Sequence, residues 1–233
     1  MRLPLLQSGS KALLSKKMAC SGQPRLVLMA FGALWLCAVG AGLWVLWAFE
    51  NSPGVAANPP VYWPSDSHIE RATDRPTLVM LIHPHCSCSR ASIGELAELM
   101  ARAHIHPKTY VLFLKPPGFA DDWEKSPLWH SAAGIPQVTV VRDDDGLEAH
   151  RFGAATSGQT ILYDVNGFLL FSGGITVSRG HSGDNAGRAA ILALLHREVP
   201  EQTDSFVFGC PLVAPNDQWQ AQETGHDVHT RNE

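Results

Sequence analysis

No basic stripe runs through this chain. Its 18 Lys and Arg stand against 22 Asp and Glu, a net charge of −4 over 233 residues, so nucleic acid is not expected as a partner. No internal repeat divides it, which excludes a solenoid or a propeller. The first 25 residues hold no acid, and Leu26 to Phe49 hold no charge of either sign. Setting aside the five basic residues of that first stretch leaves 13 Lys and Arg against 22 Asp and Glu. The remainder is therefore acidic, at −9, which weakens any case for an anionic ligand. Cysteine is scarce and odd in number, at five, so at least one thiol is left over from any set of disulfides.

The uncharged run, LVLMAFGALWLCAVGAGLWVLWAF, is 24 residues long. At about 1.5 Å per helical residue it can cross a hydrocarbon core of about 30 Å with some tilt. A secretory apolar region is shorter, at about 7–15 residues. Arg2, Lys11, Lys16, Lys17 and Arg25 precede the run and should stay in the cytoplasm, so Glu50 onward should lie outside it. Trp44 and Trp47 stand where interfacial anchors stand. The small residues of VAAN at 55–58 leave a cleaved signal as the alternative. The reading divides the chain into a basic N-terminus (1–25), an anchor (26–49), a Pro-rich linker and lead-in (50–74), a folded domain (75–199) and a polar tail (200–233), disordered after about 215.

Thr77 to His83, TLVMLIH, is predicted as a buried strand, and residues 87–103 as a helix carrying Ile93, Leu96, Leu99 and Met100 on one face. Ser92 with Glu95 fits a capping box and so an alternative helix start. Thr109 to Leu114 and Gln137 to Arg142 are the next strands. RDDDG reads as a solvated turn: Asp143 to Gly146 faintly resemble a calcium loop but lack its later Glu. Thr160 to Tyr163 and Phe168 to Phe171 flank DVNG as a hairpin, and Asn185 or Asp184 caps a last helix through Glu198. Strand, helix, strand, connection, strand, hairpin, helix is the order of an α/β domain, with a mixed sheet flanked by helices and an antiparallel edge.

LIHPHCSCSRAS, residues 81–92, carries the chemistry. The thiolate is the reactive form of cysteine, and a helix N-terminus with its unpaired N–H groups favours it. Cys86 falls at the junction of the first strand and first domain helix, so its pKa should drop; His83 and His85, if protonated, would lower it further. Cys20 precedes the apolar run, with palmitoylation as one reading, and Cys37 lies inside it as a small apolar residue. Cys86, Cys88 and Cys210 are the exported cysteines, and an oxidising compartment favours thiol chemistry there.

Strand–HPHC–helix followed by FGAATSGQTILYDVNGFLLFSGG resembles a thioredoxin-like fold over roughly residues 75–198. It is similar to membrane-anchored bacterial thioredoxin-like proteins, in particular the branch called RedB-like. RFGAATSGQTILYDVNG is similar to the family segment Tyr-Gly-Val-x-Gly-x-Pro-Thr, and Asp164 to Gly167 match the turn that follows. The resemblance implies an exported, single-pass protein of a bacterial cytoplasmic membrane with its C-terminal domain in the periplasm. It implies thiol–disulfide exchange with protein thiols or disulfides, with Cys86 on the attacking position. The sequence departs from the family in four places. Ser89 occupies the second-cysteine position, which makes Cys88 the resolving thiol of a C-x-C motif. Gln159, after Gly158, replaces the cis-proline. Met80 replaces a buried acid, and Gly94 a kink-forming proline.

Two readings stand beside this one. Cys86 and Cys88 with His83 and His85 could bind copper(I), since soft thiolates select such ions; His226 and His229 are weaker candidates. Alternatively the cysteines are inert or form a structural disulfide. The redox reading itself needs no cofactor. Cys210, in FGCPL, is a candidate second resolving thiol, a buried free thiol, or a bridge to another protein. In the Gly-rich stretch 173–187, Arg179, His181, Asp184 and Asn185 are candidates to line a site, against a bland reading as a loop ending in a helix cap.

Overall fold

The computed structural model describes residues 23–212. The expectations for Cys20, the earlier basic residues, His226 and His229 lie outside that range. The described chain divides into two compact units, one ending at Ala48 and one beginning at Phe49. The first is the apolar helix α1 (Gln23–Glu50), which is long and apolar enough to cross a membrane. Its Cys37 is exposed on the helix surface.

The second unit is built on five strands: β1 (Thr77–Ile82), β2 (Lys108–Lys115), β3 (Val138–Asp144), β4 (Gln159–Tyr163) and β5 (Leu169–Gly173). Their order is β3-β2-β1-β4-β5. β1, β2 and β3 run parallel, while β4 and β5 pair antiparallel at the other side of β1. β1 is central and buried at every position, which is why TLVMLI is apolar without alternation. Its side chains still divide by face. Leu78, Met80 and Ile82 join one cluster with α2 (Ser89–Arg102), α3 (Pro127–Ala133) and α5 (Ala186–Leu195) through Leu96, Leu99, Ala132 and Ile191. Val79 and Leu81 join the other with Tyr110, Leu112, Phe152 and Tyr163.

That second face is covered mainly by irregular chain. Trp63 meets Phe152 and Tyr163 edge-on at 5.1 and 5.3 Å, and the Tyr163 hydroxyl donates to Pro60 O at 2.9 Å. Ser67 Oγ and His68 N donate to the buried Glu148 carboxylate at 2.6 and 2.9 Å. The Pro-rich lead-in is thus fixed along the sheet as its outer layer. Four glycines make room for a second covering segment, residues 203–212. A Cβ on Gly173 or Gly187 would collide with Ser205, one on Gly174 with Phe206, and one on Gly209, within the segment, with Ser157. Leu212 seals the cluster from that side.

Two local expectations need correction. RDDDG turns only at Asp145 and Gly146, and its first aspartate is not solvated. β3 runs on to Asp144, Gly146 turns the chain at φ 70°, and a short helix, α4 (Leu147–Arg151), follows. Asp143, only 3% exposed, accepts from Glu148 N and Ala149 N at 2.8 and 3.0 Å, so its carboxylate caps α4 from outside. Burial pushes its pKa up to about 6 against the pull of those two N–H groups. Nor is Glu95 a capping-box partner of Ser92. Both residues are inside α2, and buried Glu95 pairs with buried Arg188 of α5 while accepting from Gly183 N at 2.7 Å and Asn185 Nδ2 at 3.1 Å. Here side-chain reach across two helices outweighs a local sequence pattern.

Candidate functional site: three thiols at the start of α2

β1 delivers the chain to a pair of tight turns in which Cys86 N donates to His83 O and Ser89 N to Cys86 O, both at 3.1 Å. Cys88 is the N-cap of α2 and makes no side-chain capping bond. Cys86 is 1% exposed, and Cys88 and Cys210 are half-buried. All three are free thiols.

Two other segments close on Cys86. The loop before β4 brings Ser157, whose hydroxyl accepts from His83 N and shares a hydrogen bond with Ser89 Oγ, each at 2.7 Å. Gly158 follows at φ 92° and donates to Leu81 O at 2.7 Å, locking the loop to β1. A Cβ at Gly158 would press on Ser92 Oγ, so glycine is required on both counts. The third segment is the C-terminal strap, 203–212. Its Cys210 N donates to Cys86 Sγ at 3.4 Å.

These contacts set the thiol chemistry. Burial raises the Cys86 pKa, but hydrogen bonds from the Cys210 thiol, the Ser89 hydroxyl and the Cys210 and Ser89 backbone outweigh it, and Cys86 falls below an ordinary cysteine. Cys88 is held above the ordinary value by burial, then by the negative charge of Cys86 and its hydrogen bond to it. Cys210 is pushed up to about 12 by burial, by hydrogen bonding to Cys86 and by the charges of Cys86 and Cys88. The arrangement favours the thiolate at Cys86 and the protonated thiol at Cys88 and Cys210.

The histidines do not supply the charge that lowers Cys86. His83 is held below its usual value by burial first and by His85 second, so it favours the neutral form. It accepts from His85 N at 3.2 Å through Nδ1. His85 Nε2 donates to Trp123 O at 3.1 Å, and both rings pack on Trp123, at 5.6 and 4.6 Å. Among the described residues no three His, Cys, Asp or Glu side chains gather as a ligand set.

Of the Gly-rich loop, Arg179 reaches the site. It donates to Gly209 O in the strap and to Ser52 O, and its charge lowers both Cys88 and Cys210 against the opposing effects. His181 turns back on its own loop, toward Ser178 Oγ and Arg179 O. Asp184 and Asn185 serve α5, the first through Arg188 and the second as N-cap. Gln159 is a β4 residue whose Nε2 donates to Ser172 Oγ at 2.9 Å on β5, so it is the preceding Ser157 and Gly158 that form the wall beside the thiols. Ser157, the strap and Trp123 were not singled out by the sequence as site elements. A polar Ser-Gly pair before the β4 run and a cysteine after the last helix were the available signals.

No protein-family model matches the chain, and no curated protein does. Solved structures do resemble it. An uncharacterised conserved protein from Geobacillus kaustophilus is 19% identical with a TM-score of 0.51, covering 71% of this chain and 94% of that one. A hypothetical protein from Sinorhizobium meliloti 1021 is 18% identical with a TM-score of 0.45, over 72% and 98% of the two chains. The pneumococcal exposed lipoprotein thioredoxin from Streptococcus pneumoniae is 18% identical with a TM-score of 0.38, over 54% and 86%. The sheet order, the mixed strand directions and the helix leaving β1 define a thioredoxin-like fold, preceded by one apolar helix. The likeness at a TM-score of 0.51 bears on the fold and not on a branch within it.

Proposed function

We propose that the chain is a membrane-tethered thiol–disulfide oxidoreductase whose domain works outside the cytoplasm, with Cys86 as the reactive sulfur. The observation that carries this is the Cys86 sulfur at the start of α2, where Ser89 and Cys210 hold a thiolate against the cost of burial. In exchange, the Cys86 thiolate attacks one sulfur of a partner disulfide and expels the other as a thiolate. A second thiol of this chain then attacks the Cys86 sulfur, closes an internal disulfide and releases the partner reduced by two electrons. Two thiols flank Cys86 for that step, Cys88 of the C-x-C motif and Cys210. The basic residues before α1 and the 24-residue uncharged run support an orientation with the domain in the periplasm, where disulfides are exchanged.

The test uses the full-length reduced protein with excess oxidised glutathione. Release of two glutathione thiols per chain, with loss of two hydrogens from the protein, is expected. Cys86→Ser should lower the rate by about a hundredfold or more, since the remaining thiols are protonated at neutral pH. Equal rates for the two proteins would remove the reading.

A further inference from the structure

The strap is built into the domain on both sides of Cys210. Ser172 N donates to Thr203 O at 3.0 Å, Ser205 Oγ to Gly174 O at 2.7 Å and Gly54 N to Val207 O at 2.8 Å. Beyond these, residues 210–212 run antiparallel to the loop before β4. Ser157 N donates to Cys210 O at 2.8 Å, Leu212 N donates to Ala155 O at 2.9 Å, and Thr156 pairs with Pro211. The backbone edge beside the reactive sulfur is therefore occupied by the chain's own strand, and that strand carries a cysteine at the position facing Cys86.

Cys88 is placed less well for a bond to Cys86. Ser89 N bonds Cys86 O and Ala91 N bonds Cys88 O at 3.1 Å each, so the two cysteines sit in successive turns that lead into α2, with Cys88 as its N-cap. Their side chains share a hydrogen bond, but a Cys86–Cys88 disulfide would close a very small ring across those turns and disturb the start of α2. Cys210 comes from a separate segment, its N donating to Cys86 Sγ at 3.4 Å, so a bond to it leaves α2 intact.

We propose that the redox pair of this protein is Cys86 with Cys210, the strap acting as a tethered strand that delivers the resolving thiol. The inference rests on the oxidoreductase reading and settles which thiol completes it. Because Cys86 is 1% exposed beneath the strap, residues 208–212 must lift from Ala155–Ser157 to admit a partner disulfide. The Cys86 thiolate then bonds one partner sulfur and expels the other, which takes a proton from water. The strap returns, and Cys210 loses its proton to water and attacks the Cys86 sulfur. The Cys86–Cys210 bond forms, the bond from Cys86 to the partner breaks, and the second partner sulfur leaves and is protonated. The partner disulfide gains two electrons and this chain loses two. A dithiol, protein or small molecule, resets the pair by the same steps in reverse. Burial first, then its hydrogen bond to Cys86 and the charges of Cys86 and Cys88, hold the Cys210 thiol protonated at rest, and the mixed disulfide removes the Cys86 charge from that set.

The deciding experiment is peptide mapping of the full-length protein, oxidised by glutathione disulfide, quenched in acid and alkylated. A Cys86–Cys210 linkage is expected. In parallel, Cys210→Ser should accumulate a Cys86–glutathione adduct that lives at least about tenfold longer than in the parent protein, because the resolving attack is lost. A Cys86–Cys88 linkage in the parent protein, or an adduct in Cys210→Ser that resolves at the parent rate, overturns the proposal and leaves the oxidoreductase reading standing. Failure of Cys86 to form any disulfide overturns both. The mapping needs no variant, so it decides even if Cys210→Ser does not fold.

Discussion

α2 and α5 lie on the same face of the sheet and begin in opposite ways. At α5, Asn185 Oδ1 accepts from Arg188 N at 2.8 Å, and Asn185 Nδ2 and Gly183 N donate to Glu95. Arg188 then binds Glu95 and Asp184. The start of α5 is capped and braced by side chains. At α2 the N-cap is Cys88, which caps nothing. The groups around that end, Ser89, Ser157 and Cys210 N, are directed instead at Cys86 or at one another. A helix start finished by its own cap is structural; one whose donors converge on a sulfur is chemical. Glu95 links the two, since it belongs to α2 and completes α5.

The largest effect is expected from breaking the closed end. Glu95→Ala would leave the buried Arg188 guanidinium with only the exposed Asp184 as partner, at a cost of about 3–5 kcal/mol in urea unfolding. If the two helix starts are independent, the pH at which Cys86 becomes half-alkylated in the folded protein should stay within a few tenths of a unit. A shift as large as a whole unit would show that Glu95 acts on the thiol as well.

The converse change is smaller in stability and larger in chemistry. Ser89→Ala removes one donor to the Cys86 sulfur while Ser157 keeps its bond from His83 N. The Cys86 pKa is lowered in the folded protein, so its thiolate exists at a lower pH than that of a free cysteine, and alkylation rises at correspondingly lower pH. Loss of the Ser89 donor should move that rise upward by about one pH unit, the equivalent of about 1.4 kcal/mol. An unmoved profile would mean that Cys210 and the Ser89 backbone N–H hold the thiolate without the hydroxyl.

The two ends were unequally legible in the sequence. The fold could be read because TLVMLI is apolar throughout and DVNG separates two strand-forming runs, and both signals are local. Cys86 could be placed because a strand, a turn and a helix follow one another within 20 residues. Asn185 was legible as a cap for the same reason. The strap was not, because residues 155–157 and 210–212 meet through backbone groups, which leave no side-chain pattern. Its trace is a set of glycines at 173, 174, 187 and 209, which have no period and acquire meaning only when the strap is seen against them. Asp143 was misread because its partners lie five and six residues ahead, beyond the span of an ordinary turn. The packing of both histidines was not legible because a His-Pro-His pattern does not disclose the tryptophan against both rings.

The smallest effect separates the two duties of Asn185. Its oxygen caps α5, and its amide donates to Glu95 at 3.1 Å. Asn185→Ala loses both and should cost about 1 kcal/mol, the usual value of a helix cap. Asn185→Ser keeps an acceptor for Arg188 N but has no amide to offer Glu95. If capping dominates, serine restores most of the loss in urea unfolding; if bracing Glu95 dominates, serine behaves like alanine. Since Glu95 also takes the Arg188 guanidinium and Gly183 N, the amide is one donor of three, and restoration by serine is the expected result. In both variants the Cys86 alkylation profile should stay in place, because none of the groups that lower its pKa belongs to the start of α5.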